Sequence, residues 1–287
     1  MKKILALTDF SENAQHAVQY ALTLAAAWRA GLYLLHTYEP PVLFQADASG
    51  GVAPEGAPGL LNYTLMMEQS EALAEASTQK INALKEAISA SHPDIAVTAQ
   101  VTEGFLGDVA NDLTEKAAID LVLMGIKGKS GLEKILIGSN AIKAIEGIQA
   151  PLLIVPENAD NVLPVKIALA SDLELLSEGT IAALEQFFNG LPVADLLIVN
   201  VNMNPSDPVN QEKVSAIKAQ LQAFNPVIHF LEAQHVETGL ETFVAENGIS
   251  LLVFIHHERS WVGQLFHKSV SKQIAWNTNI PVLRLKG

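Results

Sequence analysis

Apolar residues fall along this chain in short runs that alternate with segments of helical spacing. Lys3 to Asp9, KILALTD, is a brief apolar run closed by Thr-Asp. Ser11-Glu12-Asn13 then supply cap-type residues, and Ala14, Ala17, Val18, Ala21, Leu22, Leu24 and Ala25 continue at helical spacing until Gly31 ends the helix. Leu32 to His36 predicts a second strand, and residues 62–90 predict a long amphipathic helix carrying Leu65, Leu73, Ile81, Leu84 and Ile88. A third strand near Ile95 to Val101 leads into a helix from Leu106 to Ala118. A fourth strand covers Leu121 to Met124, a helix opens at Ser139, and a fifth strand covers Pro151 to Val155. Strands alternating with helices predict a parallel sheet with right-handed crossovers.

Residues 156–164, PENADNVLP, are polar and bounded by proline at each end, so they read as a linker, after which the pattern restarts. Lys166 to Asp172 echoes Lys3 to Asp9 at an offset of 163 residues, Leu196 to Val201 echoes strand two, and Val227 to Ala233 echoes strand three. From there the offset is 130, which lays Leu251 to Phe254 over Leu121 to Met124 and Pro281 over Pro151. The fold class expected is therefore α/β: two tandem open parallel five-stranded sheets flanked by helices, with domains over residues 1–156 and 165–287. The offset drops between strands two and three, where the first copy carries EPPVLFQADASGGVAPEGAPG, with four Pro and four Gly. That stretch over residues 39–60, after strand two, is either a lid or a flexible insertion.

At 287 residues the chain exceeds one ordinary domain, in agreement with the repeat. Cysteine is absent, which excludes disulfides, thiolate metal sites and cysteine nucleophiles. The net charge of −13 divides almost evenly, 10 Lys/Arg against 17 Asp/Glu over 1–156 and 8 against 14 over 157–287. Neither half offers the broad basic face that nucleic acid or anionic lipid would demand, so neither nucleic acid nor a membrane is an expected partner. No apolar run approaches the roughly 20 residues of a transmembrane helix. The N-terminal MKKILALTDF fails as a signal peptide because Asp9, Ser11, Glu12 and Asn13 interrupt it early. The expectation is a soluble, cytoplasmic protein.

The candidate chemistry lies in residues 121–142, LVLMGIKGKSGLEKILIGSNAI. An apolar strand meets a glycine-rich loop, and Ser139 opens the next helix. Glycines let backbone N–H groups approach an anion, and the helix dipole adds partial positive charge. Lys127, Lys129 and Lys134 add cations, so the stretch reads either as a phosphate loop or as a plain αβ turn. The spacing is particular: Gly125, two residues, Gly128, nine residues, then Gly138-Ser139. It is neither a Walker A loop nor a GxGxxG fingerprint. It closely resembles the nucleotide-binding motif of the universal stress protein family.

That resemblance implies a Rossmann-like fold of the adenine nucleotide alpha hydrolase type, with ATP, accompanied by Mg²⁺ where a metal is used, bound beyond the carboxyl ends of the strands. Carried over by position, Thr8-Asp9, His36-Thr37 and Met124-Gly125 meet in one crevice at the ends of strands one, two and four, and Asp9 bonds near the adenine or ribose. Thr37 faces the adenine through its backbone, and Met124 lines the ribose. Gly125, Gly128, Gly138 and Ser139, with Asn140 behind them and Lys127 nearby, cradle the phosphates. Asp9 and Ser139 also read as helix-cap residues, Met124 as plain core, and Lys127 as a solvated charge. The chain departs from the family in having Asn140-Ala141 after Ser139, and in lacking a proline within Glu103-Gly104-Phe105-Leu106-Gly107.

In the second copy, Ile255, Glu258, Trp261 and Lys268 replace Gly125, Gly128, Gly131 and Gly138, and only Ser269 keeps its counterpart, so no nucleotide is expected there. His229, His235, His256, His257 and His267, with Glu258, suggest a metal, but no ligand spacing on one helix face supports it. The leading function is an ATP-binding stress-response module whose nucleotide state partners read, with at most slow hydrolysis. Competing functions are an adenylating or ATP-pyrophosphatase enzyme, whose SGGxDS or HxGH signatures Thr8-Asp9-Phe10-Ser11 does not match, and a structural dimerisation protein with an empty loop. The resemblance further implies that Leu152–Val155 and Val282–Leu285 pair in an intramolecular pseudo-dimer, with a homodimer as a further assembly.

Overall fold

Period-two alternation along the strands sends neighbouring side chains to opposite faces of a sheet, and both faces here are apolar. Ile4 and Ala6 enter one core with Leu121, Leu123, Leu153 and Val155, while Leu5 and Leu7 enter another with Val122, Met124, Leu152 and Ile154. Each face must then be covered by helices, which gives three layers. The computed structural model describes residues 1–39, 58–127, 139–193, 195–256 and 279–287. The predicted loop glycines Gly128 and Gly138 therefore lie outside the described residues, as do nearly all of the candidate lid and His257, Glu258 and His267.

The described elements are β1 (Lys3–Leu7), α1 (Glu12–Trp28), β2 (Gly31–Tyr38), α2 (Pro58–Ser91), β3 (Val97–Glu103), α3 (Leu106–Ala117), β4 (Leu121–Ile126), α4 (Ser139–Gly147) and β5 (Leu152–Pro156). They continue with β6 (Lys166–Ala170), α5 (Glu178–Phe188), β7 (Asp195–Val201), α6 (Pro208–Gln220), β8 (Val227–Leu231), α7 (Val236–Asn247), β9 (Leu251–His256) and β10 (Val282–Lys286). Every expected strand is present. Two strands that touch the site end two residues later than expected: β2 runs to Tyr38, and β4 runs through Gly125 to Ile126 because β5 keeps pairing with it, Gly125 opposite Val155 and Ile126 opposite Pro156.

The strands form one ten-stranded sheet in the order β3-β2-β1-β4-β5-β10-β9-β6-β7-β8. The first five and the last five strands have the same internal order, and all pairings within each half are parallel. The offset of 130 also appears in the ladders: Ile4 faces Leu121 across β1 and β4, and Ile167 faces Leu251 across β6 and β9. The two five-stranded units merge at an antiparallel seam between β5 and β10, where Val282 lies opposite Ile154 and Arg284 opposite Leu152. This is the pairing expected of Leu152–Val155 and Val282–Leu285. It covers two sheet edges that would otherwise expose unpaired backbone groups.

Side chains reinforce the seam on the α1 face. Trp28, Phe187, Phe188 and Phe224 form a chain of edge-on ring contacts with centroids 5.4–5.7 Å apart, running from α1 into the second half. The Lys2 ammonium lies 3.9 Å above the Trp28 ring centroid and donates to the carbonyls of Gln186 and Asn189. Burial lowers the pKa of Lys2, while the Asp120 carboxylate opposes that shift. The polar linker also docks: His16 Nε2 donates to the Ala159 carbonyl (2.8 Å) and Thr23 Oγ1 to Asn161 (2.8 Å). Trp28→Ala is expected to lower stability by about 2–3 kcal/mol, because it removes both an aromatic anchor and the cation's platform. The fall in denaturation midpoint measures it.

Candidate functional site

The turn after β1 is built almost entirely from short-range side-chain hydrogen bonds. The Thr8 amide donates to the Leu35 carbonyl (2.9 Å), holding β1 against β2. Phe10 N–H donates to Thr8 Oγ1 (3.0 Å), and Ser11 N–H donates to Asp9 Oδ1 (2.9 Å). These two turns place Phe10 in the left-handed region, φ 66°, and let Ser11 cap α1 by accepting from the Ala14 amide. Asp9 is thus a turn former, with Ser11 as the true N-cap, and it remains exposed at the rim.

The carboxyl ends of β1, β2 and β4 meet there around a cavity of about 360 Å³. That volume lies within the range of about 300–1,000 Å³ typical of small-ligand pockets. Thr8, Asp9, Thr37, Met124 and Gly125, all anticipated from sequence, line it together. Lys127 stands exposed one residue beyond β4, and Ser139 and Asn140 open α4, whose Ala141 reaches the cavity wall. His36, expected beside Thr37 at the end of strand two, lines it as well, and Leu7, Ala14, Leu106 and Glu39, which were not anticipated, complete the lining. Leu106 belongs to a helix whose entry manages without the family's proline, through Gly104 at φ 140° and a Val109 amide donating to Phe105. The walls Leu7, Met124, Leu106 and Ala141 are apolar, and the polar groups converge from β1 and β2.

Charge orients any ligand in this cavity. Asp9 and Glu39 place two carboxylates on the wall supplied by β1 and β2, where a polyphosphate would be repelled. β4 leads to Lys127, and α4, which begins at Ser139, brings Ala141 to the cavity wall; a helix N-terminus favours an anion.

Gly125 has a reason of its own for lacking a side chain. A Cβ built there would lie 2.1 Å from the Asn13 carbonyl oxygen and 2.6 Å from its carbon, so the first turn of α1 sits directly on β4. Its register counterpart, Ile255, is buried in the core that also holds Leu173 and Leu176. The helix after β6 starts later: Ser177 caps α5 five residues after Asp172, whereas Ser11 caps α1 two residues after Asp9. Displacing the helix start leaves room for the isoleucine.

The remaining expectations divide. His229 lies in β8 with its ring 5.1 Å from Phe243, and His235 precedes α7. Among the described residues no group of three or more His, Asp or Glu is placed to hold a metal ion. Among those residues, too, no helix is long and apolar enough to cross a membrane.

A mostly parallel open sheet, covered by helices and cleft at its strand ends, defines the architectural class. The model of the universal stress protein family matches residues 1–156 and 194–286, and the chain belongs to that family. Universal stress protein MJ0531 of Methanocaldococcus jannaschii is 29% identical over 154 residues, covering 54% of this chain and 81% of its own. Universal stress protein Slr1230 of Synechocystis is 23% identical over 296 aligned positions and the full length of both chains. The crystal structure of a universal stress protein from Archaeoglobus fulgidus shares the fold, with a TM-score of 0.66 at 16% identity over 99% of this chain and 98% of that one.

Proposed function

We propose that the chain consists of two universal stress protein domains, residues 1–156 and 165–287, and that the first binds ATP as a signal read by partner proteins. One observation carries this reading: in a member of this family, the anticipated residues Thr8, Asp9, Thr37, Met124 and Gly125 line one cavity at the strand ends, beside the start of α4. The base and ribose would lie along Asp9, Thr37 and Met124. The phosphates would extend past Gly125 toward Lys127, Gly128, Gly138, Ser139 and Asn140, with Mg²⁺ as their counter-ion where one is used. The second domain would not take a nucleotide in this way, since Ile255 stands where Gly125 does. Its contribution is the seam.

Mass spectrometry of the purified protein tests the occupant, and calorimetry with ATP tests the affinity. ATP or ADP is expected at up to one molecule per chain, with phosphate released over hours at most. Gly138→Asp places a carboxylate in the proposed phosphate path and is expected to weaken ATP binding at least tenfold. No heat with ATP from the unsubstituted chain would overturn the reading.

A further inference from the structure

The turn that follows β1 is repeated after β6, with the same hydrogen bonds. Ser171 stands for Thr8: its amide donates to the Val199 carbonyl (3.0 Å) and its hydroxyl accepts from Leu173 N–H (3.0 Å). Asp172 stands for Asp9, accepting from Glu174 N–H, and Leu173 repeats the positive φ of Phe10. A fourth bond ties each turn to the neighbouring strand. In the first half His36 Nδ1 lies 2.8 Å from the Thr8 carbonyl, and in the second Asn200 Nδ2 donates to the Ser171 carbonyl, also at 2.8 Å.

Asparagine therefore suffices for the tether, and the imidazole brings something more. A carbonyl oxygen can only accept, so Nδ1 must carry the proton in this bond. In the neutral ring Nε2 is then left with its lone pair, as an acceptor. Among the described residues Nε2 meets no hydrogen-bond partner, and the ring lines the cavity beside Thr8 and Thr37. Packing holds the plane: the Phe10 ring lies 4.6 Å from the imidazole, and Lys80 lies over Phe10 at 5.6 Å. Thr8 Oγ1, which might compete for a ligand, already accepts from the Phe10 amide.

We infer that His36 is a specificity-determining residue of this cavity, its Nε2 accepting a hydrogen bond from an N–H or O–H donor of the bound nucleoside. The assignment rests on the ATP reading above and deepens it. Two parts of a nucleoside supply such a donor, the exocyclic amine of the base and the ribose hydroxyls. Both are compatible with a base and sugar lying on the β1 and β2 wall.

His36→Asn keeps the tether that Asn200 demonstrates and removes the acceptor. The expected result is an unchanged melting midpoint with ATP bound about tenfold more weakly. His36→Ala is expected to lose both tether and affinity, with a lower midpoint. Titrations with inosine triphosphate, 2′-deoxy-ATP and 3′-deoxy-ATP locate the donor. The analogue lacking it should bind the unsubstituted chain more weakly than ATP does, and should lose nothing further on His36→Asn. Saturable ATP binding that His36→Asn leaves unchanged overturns the assignment alone, as does a loss of the same factor for ATP and all three analogues. No saturable binding by the unsubstituted chain overturns the ATP reading as well. Should His36→Asn fail to fold, the unsubstituted chain still decides, because equal affinity for ATP and every analogue overturns the assignment.

Discussion

Gly125→Ala should unfold the first half more readily than almost any other single-methyl addition to this protein. The added Cβ would meet the Asn13 carbonyl at 2.1 Å, well inside any tolerable separation, and the obstacle is backbone rather than the tip of a flexible side chain. Relief requires α1 to lift from β4, and α1 is fastened to the turn at Thr8 to Ser11. The expected cost is about 3 kcal/mol, the upper end for overpacking. ATP affinity should fall with it, since the turn and β4 form facing walls of the same cavity. Gly147→Ala, at the last residue of α4, is the control: a Cβ there meets nothing within 4 Å, and the change should stay within about 0.5 kcal/mol. Thermal melts of the two variants, with calorimetry against ATP, check the contrast.

Arg284 offers the second large effect, with a sign that depends on what replaces it. Its side chain is 3% exposed within β10, and it donates to the carbonyls of Ile148 and Ala150, immediately beyond the end of α4. Among the described residues it has no carboxylate partner, and its Nε is buried without a hydrogen bond. Burial pulls the guanidinium pKa down to about 10, which still leaves it charged at neutral pH. The negative end of the α4 dipole and those carbonyls are what stabilise it. Arg284→Ala removes them from their donor and opens a cavity, for an expected loss of about 3–4 kcal/mol. Arg284→Met fills most of the volume and eliminates the buried charge, so its cost should be about 1 kcal/mol or less. Chemical denaturation of both variants tests the ordering; equal losses would mean that the volume, and not the charge, is irrelevant to how α4 is held.

Most of the framework was legible in the chain because it is written in local periodicity. Each apolar run became a strand, and the offsets of 163 and 130 reappear as ladder registers, Ile4 with Leu121 answered by Ile167 with Leu251. Five of the anticipated cavity residues, Thr8, Asp9, Thr37, Met124 and Gly125, converge for the same reason: parallel strands in this order bring their carboxyl ends together. What the pattern did not announce depends on contacts distant in sequence. Gly125, expected at the cavity, is also where α1 rests on the sheet. The partners of Arg284 are more than a hundred residues away in the chain. Trp28, at the end of α1, starts the aromatic chain between the halves. His36 was expected at the crevice as the end of a strand, but its bond to the Thr8 carbonyl, matched by that of Asn200 to Ser171, was not.

The antiparallel junction of β5 with β10 has a geometric corollary. Because every other neighbour in the sheet runs parallel, the direction of the strands reverses once, midway across. The cleft above β1 and β4 and the corresponding surface above β6 and β9 consequently open toward opposite poles of the molecule.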